Sequence, residues 1–198
     1  MNELNTDFWS ERWQESKTGW DIGHASPGLI DYCKQLPNKD IKILIPGAGN
    51  AYEAAWLWEH GFQNVLVLDW AKEPLAEFQT KNPDFPSVQL ICANFFDVDQ
   101  KFDLVLEQTF YCALPPEMRD DYVKHMHKIL NPGGKIAGLL FQFPLTDQGP
   151  PFGGSKEEYE KRFAPYFKLR ILEIAHNSIP PRKGNELFIL AEKREDQG

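Results

Sequence analysis

The run Ile43-Leu44-Ile45-Pro46-Gly47-Ala48-Gly49-Asn50-Ala51-Tyr52-Glu53 decides how this chain folds. A short apolar strand ends in two glycines spaced by one residue, and a helical pattern starts at once. Lacking a Cβ, Gly47 and Gly49 let a ligand lie directly against the backbone at the strand end. Nucleotide-type ligands bind in this kind of strand-to-helix crevice in open α/β sheets. A lone Gly-x-Gly also suits any tight strand–helix turn, so its neighbours have to decide what it means.

Working outward, strand-like and helix-like segments alternate. Strands are expected near 41–46, 65–69, 88–92, 102–107, 134–143, 167–175 and 185–191, with helices near 6–17, 25–36, 51–60, 72–81, 116–130 and 155–164. Alternation of this kind builds a parallel sheet with helices on both faces. The last two strands are joined only by Asn177-Ser178-Ile179-Pro180-Pro181-Arg182-Lys183-Gly184. That connection leaves no room for a crossover helix, so the pair has to be antiparallel. The expected fold is α/β, a seven-stranded, mostly parallel sheet closed by a terminal antiparallel hairpin. No repeat or long linker interrupts it, so 1–198 reads as a single domain.

Composition narrows the partners. A formal net charge of −8 argues against a nucleic-acid phosphate backbone, which calls for clustered Lys and Arg. Cys33, Cys92 and Cys112 are odd in number and scattered, offering neither a disulfide framework nor zinc-ligand spacing. No apolar run approaches the ~20 residues that span a bilayer. The first residues, Met1 to Asp7, lack the basic start and apolar core of an export signal. These features predict a soluble cytoplasmic protein with no nucleic acid, membrane or metal as partner. They leave the oligomeric state open, a monomer being compatible.

Four features fall at successive strand ends. Gly47-Ala48-Gly49 follows the first strand, with Tyr52 where a dinucleotide fingerprint places its third glycine. Asp69 closes the second strand about 20 residues later, where a carboxylate can accept hydrogen bonds from both hydroxyls of a ribose. The same acid could instead cap the following helix. Ala93-Asn94-Phe95-Phe96-Asp97 follows the third strand. Asn94 could meet an adenine amine while Phe95 packs on the ring face, or the segment is a polar loop with two core phenylalanines. Phe102-Asp103-Leu104-Val105-Leu106-Glu107 is a buried strand ending in an acid. Glu107 could face the ammonium of a methionine moiety, or only the loop backbone. Ile129-Leu130-Asn131-Pro132-Gly133-Gly134-Lys135-Ile136 then reads as a tight turn from helix to strand.

Taken in order, these motifs resemble the class I S-adenosylmethionine-dependent methyltransferases, whose Rossmann-like sheet ends in such a hairpin. Two further segments are similar to the thiopurine methyltransferase superfamily, and in particular to its halide/thiol methyltransferase branch. They are Phe8-Trp9-Ser10-Glu11-Arg12-Trp13 through Gly19-Trp20-Asp21-Ile22-Gly23, and Gln148-Gly149-Pro150-Pro151-Phe152. Pro46-Gly47-Ala48-Gly49 and Thr109-Phe110-Tyr111-Cys112-Ala113-Leu114 are similar to that branch as well. The resemblance runs from about Phe8 to Ile189. It implies S-adenosyl-L-methionine as cofactor and a small thiol or other soft nucleophile as methyl acceptor.

The resemblance also implies that residues 1–24 cover the cofactor and that Trp9, Trp13 and Trp20 contact it. Trp9 and Trp13 lie four apart on one helix face, which by itself could equally pin a helix to the core. Aromatic faces suit a sulfonium, because its positive charge is drawn to the ring quadrupole. The loop Pro144–Gly154 would lie near the strand ends with Phe152 aimed at the acceptor, or else be plain surface. The sequence departs from the branch at Phe152, where Tyr is common, and at Ala48, Ala51, Asn94 and Gln108. No side chain is assigned as acid or base: the five histidines are scattered, and Cys112 sits in an apolar stretch where cysteine acts as a small hydrophobe. The rival readings are a nicotinamide-dependent reductase, disfavoured by Tyr52 and the hairpin, and a non-catalytic module that keeps the cofactor crevice.

Overall fold

Strands whose side chains point alternately to two apolar faces have to be covered on both, and that requirement sets the architecture. The computed structural model describes residues 4–195; the ends of the expected domain, 1–3 and 196–198, lie outside the described residues. The elements run α1 (Thr6–Gln14), α2 (Pro27–Cys33), β1 (Ile43–Pro46), α3 (Tyr52–Glu59), β2 (Val65–Asp69), α4 (Lys72–Lys81), β3 (Leu90–Cys92) and β4 (Phe102–Gln108). They continue with α5 (Arg119–Ile129), β5 (Leu130–Phe141), α6 (Lys156–Phe163), β6 (Phe167–Ile174) and β7 (Glu186–Lys193).

The seven strands form one sheet in the order β3-β2-β1-β4-β5-β7-β6. The first five pair in parallel, and β7 runs antiparallel to both β5 and β6. The short connection at 177–184 therefore makes the hairpin it was expected to make. Ile43 and Ile45 of β1 pack in the layer with Leu29 of α2, Leu57 of α3 and Phe78 of α4. Leu44, one position out of phase, packs in the other layer with Met126 of α5 and Phe163 of α6. From β1 the chain winds outward to β3, then returns to lay β4 against the opposite edge of β1. A crevice opens at the carboxyl ends of β1 and β4, where such a reversal occurs.

Several boundaries differ from expectation by a few residues, and two of them have a clear local cause. The first helix stops at Gln14 because Ser16 turns left-handed (φ 56°), with the Lys17 N–H returning to the Arg12 carbonyl and the Ser16 N–H to that of Trp13. That is a Schellman-type end built without glycine. The fifth strand begins at Leu130 instead of about 134, with Leu130 already paired to Phe102. The Asn131-Pro132-Gly133-Gly134 turn is absorbed as an irregularity in the β4–β5 ladder, with Gly133 at φ 72°. No helix among the described residues is long and apolar enough to cross a membrane.

The core is read directly by a contrast of two truncations. Leu57 is fully buried on α3, and its change to alanine should cost about 2–5 kcal/mol in urea denaturation. Val88 is 79% exposed, and the same change there should stay within about 0.5 kcal/mol.

Candidate functional site

The turn after β1 takes a shape that few sequences allow. Gly47 (φ 56°), Gly49 (φ 53°) and Ala51 (φ 51°) are all left-handed. A Cβ on Gly47 would stand 2.3 Å from the Phe110 ring, so only glycine fits there. Asp69, at the end of β2, holds the turn in place. Its Oδ2 accepts from the Gly49 N–H at 3.0 Å and its Oδ1 from the Ala71 N–H at 2.9 Å. This buried carboxylate therefore ties the turn after β1 to the start of the segment that leads into α4. Burial pushes its carboxyl above the ordinary value, and the backbone N–H groups of Gly49, Ala71 and Trp70 oppose that rise.

Over this turn lie the indoles. Trp9 and Trp13 each meet Trp20 edge to face, with ring centroids 5.6 and 5.9 Å apart. A Cβ on Gly49 would lie 3.6 Å from both Trp13 and Trp20. Helix α1 has no fully buried residue; Ser10 Oγ and Gln14 Nε2 each donate to the Glu73 carboxylate of α4 at 3.0 Å. Arg182, in the short turn Pro180–Arg182, donates from Nη2 to the Trp20 carbonyl at 2.7 Å. It pairs through Nη1 with Glu186 at 3.3 Å.

Beneath the indoles is a cavity of about 410 Å³. Trp9, Trp13, Trp20, Gly47, Gly49, Asp69, Asn94 and Phe95 all line it. A smaller space of about 50 Å³ shares Trp20, Gly47, Gly49 and Thr109, and reaches the ends of β1 and β4. Asn94 caps the short turn Phe95–Asp97, its Oδ1 accepting from the Phe96 N–H at 3.0 Å. Phe95 is 4% exposed and sits among Phe96, Phe110, Tyr122 and His125, so it is a core ring with one edge at the cavity.

Two expected site residues are placed elsewhere. Glu107 points away from the cavity because side chains alternate along β4: Leu106 and Gln108 line the smaller space, and Glu107 faces the α5 layer. Its Oε1 accepts from the Phe110 and Tyr111 N–H groups, both at 2.9 Å, and its Oε2 from the Tyr122 hydroxyl at 2.6 Å. It braces the loop backbone, the second of the two roles open to it. Burial pushes its carboxyl up to about 7, against these three hydrogen bonds. Phe152 is also turned inward. Its N–H donates to the Cys112 carbonyl at 2.7 Å and its ring packs under Gly149, so Pro150 and Pro151 face the cavity in its place.

Several lining residues were not legible from sequence, among them Arg12, Trp70, Phe141, Met118 and Arg182. The connector carrying Arg182 had a signal, Pro-Pro-Arg-Lys-Gly, but was read only for its length. The ionisable side chains lining the cavity, among the described residues, are Arg12, Asp69, Cys112 and Arg182. Burial raises the Cys112 thiol well above its ordinary range, so it stays protonated as a small apolar group.

Residues 4–195 match the family model described as thiopurine S-methyltransferase. The "Probable thiol methyltransferase 2" of Arabidopsis thaliana is 30% identical over 195 residues, covering 94% of this chain and 84% of that protein. The "Thiocyanate methyltransferase 1" of the same plant is 29% identical, covering 90% of this chain and 81% of that protein. Among solved structures, the 1,6-didemethyltoxoflavin-N1-methyltransferase of Burkholderia thailandensis, with bound S-adenosylhomocysteine, superposes with a TM-score of 0.77. It is 17% identical, over 96% of this chain and 87% of that one, which is a likeness of fold.

Glu107 supplies a pH test of the brace behind the loop. Its carboxyl sits at about 7 in the folded chain against 4.5 ordinarily, so the folded state binds the proton more tightly. Its contribution to stability is therefore fully present below about 4.5, declines as pH rises, and is lost above about 7. Glu107→Gln keeps the acceptor and cannot ionise. Thermal melts should show the variant gaining on wild type as pH climbs through that window, with no further gain above it.

Proposed function

Because the chain belongs to the thiopurine S-methyltransferase family and is an S-adenosylmethionine-dependent methyltransferase, we propose that the cavity under Trp9, Trp13 and Trp20 holds the cofactor and that a small thiol or other soft anion takes the methyl group. The observation that carries this reading is the Gly49 turn, pinned by Asp69 and roofed by Trp13 and Trp20. Its floor offers bare backbone, its wall a carboxylate and its roof aromatic faces. The volume suits such a ligand, since small-molecule sites span about 300–1,000 Å³.

Bound there, S-adenosylmethionine supplies a methyl group carried on a cationic sulfur. In this reading Asp69 receives the ribose hydroxyls on its remaining lone pairs, and Asn94 with Phe95 borders the adenine. Gly47 and Gly49 admit the methionine part. Trp9, Trp13 and Trp20 exclude water and present ring faces to the positive charge. Phe141, Pro150, Pro151 and Arg182 border the acceptor. At that end of the cavity the described residues offer neither a carboxylate nor an imidazole. The chain's part is therefore to align donor and acceptor rather than to remove a proton. Arg182 brings guanidinium N–H groups to the acceptor end, its charge shared with Glu186, and in this reading they receive a nucleophile that arrives as an anion. Thiocyanate, named for one plant relative, is such an anion, and the thiol named for the other becomes one when it loses its proton to water before the transfer.

The same proposal takes 1–198 as one methyltransferase domain, with 1–24 as its cover, working in the cytoplasm. The free thiols of Cys33, Cys92 and Cys112 fit a reducing compartment.

Titration calorimetry separates the parts. Wild type should bind S-adenosylhomocysteine, and Asp69→Ala should weaken it about tenfold or more by removing a charged acceptor. Trp20→Leu should cost S-adenosylmethionine several-fold more affinity than S-adenosylhomocysteine, which has no sulfonium charge; cation–π attraction of about 0.5–2 kcal/mol sets that gap. A well-folded chain that binds neither ligand would sink the proposal.

A further inference from the structure

Arg119, the first residue of α5, is fully buried. Its guanidinium serves two elements at once. Nη1 donates to both carboxylate oxygens of Glu158 in α6, at 2.9 and 3.1 Å. Nη2 donates to the Phe152 and Gly153 carbonyls, at 3.3 and 2.9 Å. Its flat face lies on the Tyr111 ring, 4.7 Å from the centroid. Glu158 is shared with Arg162 Nε at 2.9 Å, and Arg162 reaches Asp120, the neighbour of Arg119.

A buried charge pair is a poor way to gain stability, since apolar side chains of similar size often serve as well or better. What an apolar side chain lacks is a hold on backbone carbonyls. The loop needs one: Pro150 and Pro151 have no N–H and so no donor of their own. Its anchors are the Phe152 N–H on Cys112, the Gly154 N–H on the Phe143 carbonyl, and the two carbonyls held by Arg119. Tyr111, on which the guanidinium rests, lies between Phe110 and Cys112 of the facing cavity wall. One cation therefore ties together the two walls of the acceptor end.

We infer that Arg119, paired with Glu158, is a positioning residue that sets the Pro150–Pro151 wall and with it acceptor binding. This rests on the assignment of that end of the cavity to the acceptor. Arg119 has no bond to Gly49, Asp69 or Trp20, which bound the cofactor side. Loosening the clamp separates the two substrates kinetically: acceptor KM rises and cofactor affinity holds.

The test uses Arg119→Lys, Glu158→Gln and the apolar double variant Arg119→Met with Glu158→Leu, which leaves no lone buried charge. Benzenethiol and hydrosulfide are the acceptor probes, and S-adenosylhomocysteine binding is measured separately by calorimetry. Acceptor KM should rise about tenfold, the loss of one charge-assisted bond, while the cofactor Kd stays within about twofold. Amide exchange at Phe152 and Gly154 should quicken in the same variants. An unchanged acceptor KM in a folded variant, or equal changes in both constants, overturns the inference. So does failure of all three variants to fold, which would assign the pair to stability alone. Failure of the wild type to methylate either probe would instead count against the acceptor assignment on which the clamp rests.

Discussion

Much of this molecule depends on one hydrogen bond, from the Gly49 N–H to the Asp69 carboxylate. It joins the turn after β1 to the end of β2, and the Ala48 N–H to the Leu68 carbonyl runs beside it. An acid buried beneath indoles has to find donors, because an unpaired charge there would be costly. The donors it finds are backbone N–H groups, and reaching them bends the turn into its left-handed course. The glycines belong to the same arrangement: the carboxylate holds the turn through the Gly49 N–H, and the Phe110 ring excludes a Cβ at position 47. A crevice with bare backbone on one side and a carboxylate on the other follows from that single requirement.

This also explains which parts of the site were legible in the sequence. Gly47, Gly49 and Asp69 stand where strands end, and strand ends are marked by a change of pattern that one sequence shows plainly. The sheet was readable for the same reason, since Ile43, Leu44 and Ile45 have to be buried on alternate faces. Glu107 shows the limit. It stands one residue before the end of β4, but its face depends on the phase of a two-residue period, and a one-residue error in phase reverses it. Phe152 shows a second limit. In a proline-rich loop the direction of a ring is set by distant main-chain bonds, here to Cys112, which no local pattern records. Arg119 and Arg182 were invisible on the same ground, because their partners lie far away along the chain.

The two halves of the cavity are accordingly built by different means. The side bounded by Gly47, Gly49, Asp69 and Asn94 rests on the ends of β1, β2 and β3. The opposite side rests on irregular segments, 110–115 and 149–154, whose shape is set by buried polar contacts. A fold can host many activities when its varied part is separable from its fixed part. Here the division runs between the strand ends and the Arg119 network, and under the proposed assignment acceptor preference can change without disturbing the Asp69 turn.

The lid completes the arrangement by being weakly attached. Helix α1 has no fully buried residue and is held by two polar contacts on Glu73 and by indole packing, while Arg182 holds the following loop at Trp20. Segments with few buried apolar contacts open at low free-energy cost while the core stays closed. Access to a cavity roofed by three tryptophans therefore requires no disruption of either core layer. In the proposed reading this segment places aromatic faces over the site and keeps water out, which is what a transfer governed by alignment and desolvation requires. Arg182 bonds to the backbone of the N-terminal segment at Trp20 while lining the same cavity, so under the proposed assignment one residue links the cover over the cofactor to the acceptor wall.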